Sequence, residues 1–168
     1  ILNLTDTGSK FDDFAVLVRS SYLTRSIEQS FMRNKISYVI WGGVRFFERK
    51  EIKDALSYLR LVAFDDDLSF QRIVNVPSRK IGSKSIEQIT KYAHDNGCSL
   101  FEALRKLSGT KSFSREPVCK FIELIDTART LSESMSISNL LEYLLQNSGL
   151  NELYRTDEEE ERLENLNE

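Results

Sequence analysis

The chain has 168 residues, 40% hydrophobic and 29% charged, with a net charge of −3, the balance of a soluble globular protein long enough to bury a core. No apolar run reaches the roughly 20 residues of a membrane helix, and no leader pattern is present; the cytoplasm is the expected location and no membrane partner is expected. Cys98, Cys119 and the single histidine, His94, lack the number and spacing of a disulfide framework or a zinc site, so no metal is expected.

The chain opens on Ile1 and stops within a charged helical pattern, so both ends are expected to be cuts in a longer chain. Phe14 to Val18 is a continuous apolar run, the pattern of a strand covered on both faces. Tyr22 to Arg33 predicts a helix with Ile27 and Phe31 on one face. Ser37 to Trp41, rich in β-branched and aromatic residues, predicts a second strand. Strand, helix and strand make a right-handed βαβ unit, which needs further strands to bury both faces. From about Lys50 the pattern is helical throughout. Ile52, Ala55, Leu56, Leu59, Val62 and Ala63 form a stripe of period 3.6, predicting a helix to Phe64. Asp65, Asp66 and Asp67 break it and can cap a short helix over Leu68–Asn75. Ser85 with Gln88 forms a capping box for a helix to Asn96, with Gly97 just past its end. Ser99 with Glu102 opens a helix over Leu100–Leu107. Pro117 suits the first turn of a helix through Phe121, Leu124, Ile125 and Ala128. Ser136 opens another, with Leu140, Leu141, Leu144 and Leu145 facing inward and Gly149 ending it. A last helix is predicted over Glu158–Glu168. The expected class is therefore mostly α: a partial α/β segment followed by an all-helical lobe.

Three short motifs, Gly8-Ser9-Lys10, Gly82-Ser83-Lys84 and Gly109-Thr110-Lys111, lack the earlier glycine and the residue order of a phosphate loop, and are turns. No base sits beside a nucleophile, so no catalytic residues are expected. Residues 71–91 carry a net charge of +4, and residues 157–168 a net charge of −6. The basic stretch contains Val76-Pro-Ser-Arg-Lys-Ile-Gly82, a glycine turn between two helices. Such a turn can aim backbone N–H groups at a phosphate, with Arg79, Lys80 and Lys84 adding charge; an ordinary interhelical turn with solvated lysines has the same spacing. A second glycine turn, Gly42-Gly43-Val44-Arg45-Phe46-Phe47, joins the second predicted strand to the long helix. There Phe46 and Phe47 can stack on a base or seal the corner, core packing being the usual fate of paired phenylalanines. Arg45 has no apolar role and is the candidate for a phosphate or carboxylate contact.

GGVRFFERKEIKDALSYLRLVA, DDFAVLVRSSYLTRSIE, FQRIVNVPSRKIGSKSIEQI and the final RLENLNE appear here in order. They resemble the corresponding segments of the UvrD/PcrA/Rep helicases of superfamily 1, and the resemblance covers nearly the whole chain. It implies an ATP-dependent 3′–5′ DNA helicase, with ATP and Mg2+ held by parts absent from this chain and a role in repair or replication. By the same resemblance, residues 1–64 are the first part of the RecA-like motor subdomain 2A, and residues 65–168 are most of the helical subdomain 2B. Implied partners are DNA at single-strand/duplex junctions, the remaining subdomains, and accessory repair or replication proteins. A helical protein-interaction module is the alternative.

Carried over by position, Arg79, Lys80, Ile81 and Gly82, assisted by Lys84, match the duplex-contacting hairpin. Lys80 replaces a family glycine, which adds a cation and is expected to reshape the turn. Arg19, Ser20 and Arg25 match a segment near the single-strand track, although Ser21 and Thr24 depart from it. Gly42, Gly43, Arg45, Phe46, Phe47, Glu48, Glu51, Lys53 and Asp54 fall in the strand-to-helix joint.

Overall fold

The computed structural model describes residues 2–6, 8–19, 23–154, 162 and 166. It divides into two compact units, Ile1–Ile52 and Lys53–Glu168. The division falls inside helix α3 (Lys50–Phe64), ahead of the expected boundary at residue 64.

The first unit contains α1 (Leu2–Thr5), a 3-10 turn at Phe11–Asp13, α2 (Thr24–Arg33) and a 3-10 turn at Phe46–Glu48. Lys35 takes a left-handed backbone just after α2, and the Ile36 amide returns to the Phe31 carbonyl at 2.8 Å. The two predicted strands are not observed. Among the described residues no strand is present, and 14–18 and 37–41 exchange no backbone hydrogen bonds with each other. A β-branched, apolar run becomes a strand only when a neighbouring backbone satisfies its amides. Both segments instead border a cleft of about 730 Å³, floored by Ile27, Glu28 and Phe31 of α2. Leu17, Val39 and Trp41 remain largely exposed.

The second unit is helical. After α3 come α4 (Asp67–Ile73), α5 (Ser83–Asn96), α6 (Leu100–Leu107), α7 (Glu116–Leu131), α8 (Ile137–Ser148) and α9 (Leu150–Leu153). Phe121 of α7 is buried at its centre. The rings of Tyr58, Phe70 and Phe101 approach it with centroids 6.3, 6.4 and 6.2 Å away, two of them edge-on, the arrangement aromatic quadrupoles favour. Leu61, Ile73, Ile89, Leu104, Ile125 and Leu144 complete the core.

The helix ends follow local chemistry. Asp66, Ser99 and Ser136 each accept an amide three residues on. Gly97 and Gly149 take the left-handed conformation that stops α5 and α8. The expected capping box at Ser85 is not formed. Helix α5 starts at Ser83 with Gly82 as its cap, and the amides of Ser85 and Ile86 both donate to the Gly82 carbonyl. The helix predicted over Glu158–Glu168 lies almost entirely outside the described residues.

Candidate nucleic-acid interface

The turn between α4 and α5 is built around the side chain of Asn75. Its Oδ1 accepts the Arg79 amide at 2.7 Å and, more weakly, the Ile81 amide at 3.4 Å, so a short polar side chain stands in for a turn's backbone acceptor. Ile81 is buried and pins the turn to the core. Lys80, between them, is exposed with φ +60°. Lys80 therefore holds a left-handed conformation that glycine takes freely and that a lysine adopts at some steric cost.

Arg79 corrects the sequence expectation. Spacing suggested a phosphate-facing cation, but the residue is only 6% exposed. Its Nη1 donates to the carbonyls of Ile73 at 2.8 Å, Val74 at 3.2 Å and Pro77 at 3.2 Å. Its Nη2 donates to the Tyr58 hydroxyl at 2.7 Å, and that hydroxyl donates to the Val76 carbonyl at 2.7 Å. The guanidinium carbon lies 4.3 Å from the centroid of the Phe121 ring. Arg79 is thus an internal post holding the turn. Burial pushes the Tyr58 phenol above its ordinary value, with the Arg79 charge pulling the other way.

What the turn presents outward is backbone and lysine. The amides of Gly82, Ser83 and Lys84 donate to no acceptor among the described residues. Gly82 has an ordinary backbone, φ −81° and ψ 175°, and a Cβ added there would meet nothing within 4 Å. Neither conformation nor packing within the chain requires a glycine at that position. Its missing side chain leaves the three amides open to close approach from outside. Lys80 and Lys84 are exposed on either side. A third cation comes from a distance in sequence: Arg115, the residue before α7, donates from Nη1 to the Lys80 carbonyl at 3.1 Å.

The glycine-rich joint of the first unit is organised by Glu28 of α2, which is 4% exposed. Its carboxylate accepts the Tyr38 hydroxyl at 2.9 Å and the Phe46 amide at 3.3 Å. Burial, then the bond to Glu28, raises the Tyr38 phenol. Phe46 is buried, with Phe47 edge-on at 5.2 Å and the guanidiniums of Arg25 and Arg49 at 5.0 and 5.5 Å from its centroid. Arg49 also donates to Thr24 Oγ1 at 3.2 Å. Arg45 lies over the Tyr38 ring at 5.2 Å and donates to the Tyr38 carbonyl at 3.3 Å. Gly42 has φ +77° at the start of the turn, and Gly43 leaves room beside Ile40. Glu48 and Lys53 are exposed and Glu51 is buried. Asp54, 1% exposed, belongs to the helical unit, where it accepts Arg72 Nε at 2.7 Å and the Tyr154 hydroxyl at 3.0 Å. Arg19 is exposed, and Ser20 lies outside the described residues.

A family model described as the UvrD-like helicase C-terminal domain matches residues 1–168. The chain belongs to that family. It is 39% identical over 168 residues to the ATP-dependent DNA helicase PcrA of Staphylococcus epidermidis, covering 96% of this chain and 23% of the relative. It is 38% identical over 167 residues to the PcrA of Staphylococcus aureus, with the same coverage. The chain therefore spans about a quarter of the length of the curated relatives it matches.

As a UvrD-like helicase domain, the chain has its motif residues in two separate places: the turn ahead of α5, and the joint around Glu28. No helix among the described residues is long and apolar enough to cross a membrane, and no group of three or more His, Cys, Asp or Glu among them is placed to hold a metal ion. Asn75, Tyr58, Arg115 and Glu28 escaped assignment from the sequence. Asn75 and Glu28 lie inside the motif segments, so their presence there was a usable signal. Tyr58 lies in a motif segment too, although it acts on the turn from 21 residues away; Arg115 acts from 35 residues away, and no local pattern marks it.

Proposed function

We propose that this chain is the 2A–2B portion of an ATP-dependent 3′–5′ DNA helicase, and that the turn from Asn75 to Lys84 grips the phosphate backbone of duplex DNA at a junction. The observation that carries this reading is the open row of amides at Gly82, Ser83 and Lys84, reached through a glycine the fold itself does not need. Backbone donors at the start of a 14-residue helix, flanked by exposed lysines, suit an anionic backbone read without regard to sequence. Residues 1–64 are assigned to the motor subdomain 2A. Residues 65–168 are assigned to 2B. The residues present do not fit ATP with Mg2+: the chain has no phosphate loop, and the described residues hold no acidic cluster of the right kind. Those groups belong to the remainder of the parent protein.

Gly82→Ser tests the reading in the full-length protein that carries this chain. Serine is a preferred helix cap, so thermal stability is expected to hold or rise. Its side chain would occupy the amides, so affinity for a labelled tailed duplex is expected to fall about tenfold, the loss of roughly 1.4 kcal/mol of phosphate contact. Unchanged duplex affinity would refute the grip. It would leave partner docking through exposed apolar side chains such as Phe64, Leu68 and Ile137 as the surviving role of the lobe.

A further inference from the structure

Resting on the duplex-binding reading, we propose that Arg115 is a phosphate-binding residue of the same interface, which makes that interface a surface of two elements rather than one hairpin.

Three observations lead to Arg115. First, its position is held at both sides. Phe113, 3% exposed, and Val118, 1% exposed, anchor the backbone around it, and its own amide donates to the Phe113 carbonyl at 2.7 Å. Second, its guanidinium is already at the turn, with Nη1 on the carbonyl of the left-handed Lys80. A guanidinium carries five N–H donors in a fixed fork, and this contact uses one. The others meet no acceptor among the described residues, and the side chain is exposed. Third, its charge is not cancelled next door. The neighbouring Glu116 is taken by Lys120 at 2.7 Å.

The contrast with Arg79 is physical. Arg79 spends its fork on three carbonyls and a phenol inside the protein. Arg115 spends one donor on the protein and keeps the rest for solvent or a ligand. The planar fork suits two oxygens of one phosphate, which a lysine's point charge does not reproduce. The single bond to the Lys80 carbonyl places that fork on the turn itself, two residues in sequence ahead of the first open amide at Gly82. Beside Glu116, which Lys120 holds, the acid nearest in sequence to this group is Glu87, about one turn past Lys84 on α5.

The test uses the full-length protein and a labelled blunt duplex, with affinity measured by anisotropy across a series of salt concentrations. The variants are Arg115→Gln, Arg115→Lys, and Lys80→Glu with Lys84→Glu. Lys106→Gln, on the exposed side of α6, serves as a remote charge control. Arg115→Gln is expected to weaken binding about three- to tenfold at low salt and to reduce the slope of log affinity against log salt by about 0.9, the loss of one phosphate contact. Arg115→Lys is expected to restore the slope while recovering only part of the affinity. Two results overturn the proposal: wild-type affinity and slope in Arg115→Gln, or equal affinity losses in both Arg115 variants with no change of slope, the signature of a purely structural tie to Lys80. In either case, weakened binding by the Lys80/Lys84 variant would leave the duplex-binding reading standing. If that variant also binds as wild type does, the reading falls together with the proposal.

Discussion

Arg79→Ala separates an internal post from a phosphate contact. The substitution deletes four hydrogen bonds donated by a buried cation and the stack on Phe121. At about 1.5–3 kcal/mol for each bond to a charged group, the simple sum would approach the whole stability of a domain, about 5–15 kcal/mol. That sum overshoots, because the variant no longer has to desolvate a guanidinium and the bonds are not additive. Breaking a buried charged network by removing one member costs about 3–5 kcal/mol, and we take about 4. For a unit of this size that lowers the melting temperature by about 12–20 °C. Arg79→Lys keeps the charge but loses the fork, and should fall between the variant and wild type. Thermal unfolding by circular dichroism reads the stability, and duplex anisotropy at two salt concentrations reads the binding. A melting temperature within about 2 °C of wild type, with the salt slope reduced by about 0.9, would place the guanidinium on DNA and refute the internal role.

Two further outcomes probe the framework around the sites. Glu28→Ala removes the acceptor shared by the Tyr38 hydroxyl and the Phe46 amide; a cost of about 2–3 kcal/mol is expected, with faster hydrogen exchange at the Phe46 amide as the local readout. Unchanged exchange at that amide would show that the joint does not depend on the carboxylate. The second outcome concerns alkaline pH. The Tyr58 phenol is raised above 10.0 in the folded state, so above pH 10 the unfolded chain gives up a proton that the folded chain keeps. Stability from this group is therefore complete below pH 10 and is lost as pH rises through the folded value. Tyr58→Phe lowers stability at neutral pH, because Arg79 loses a partner and the Val76 carbonyl loses its donor. It should also flatten the alkaline decline relative to wild type in melts from pH 9 to about pH 11. An alkaline decline as steep as wild type would remove Tyr58 from the account.

The helix ends were legible because their causes are local. Asp66, Ser99 and Ser136 reach amides three residues away, and Gly97 and Gly149 need only their own backbone freedom. Ser85 misled because Gly82, with no side chain to offer, was not an obvious cap. The two predicted strands misled for the opposite reason. Val16, Leu17, Val39 and Ile40 have strand character, but a strand is a relation between segments, and the described residues supply no partner backbone. The interface was legible as a location and not as a set of contacts. A cation beside a glycine turn has the same pattern whether it points at solvent or at the core. For Arg79 the choice is made by Tyr58 and Phe121, and for Arg115 by the carbonyl of Lys80.

The side chains that decide Arg79's direction also explain why the motif of α3 and the motif of the turn occur together. Asp54 and Tyr58 are four residues apart, so they lie one above the other on a single face of α3. The carboxylate of Asp54 holds Arg72 of α4 and the Tyr154 hydroxyl just past α9. The hydroxyl of Tyr58 holds Arg79 and the Val76 carbonyl at the turn. One helical turn of α3 thus anchors both the helix that enters the turn and the turn itself. Inside the protein a charge without its partner is costly, so these side chains resist moving independently. A displacement of this face of α3 must carry the turn with it or break a buried charged contact. The open amides of Gly82, Ser83 and Lys84 are therefore aimed by residues that never touch the ligand. A change at Asp54 should consequently appear as a change in duplex affinity as well as in stability.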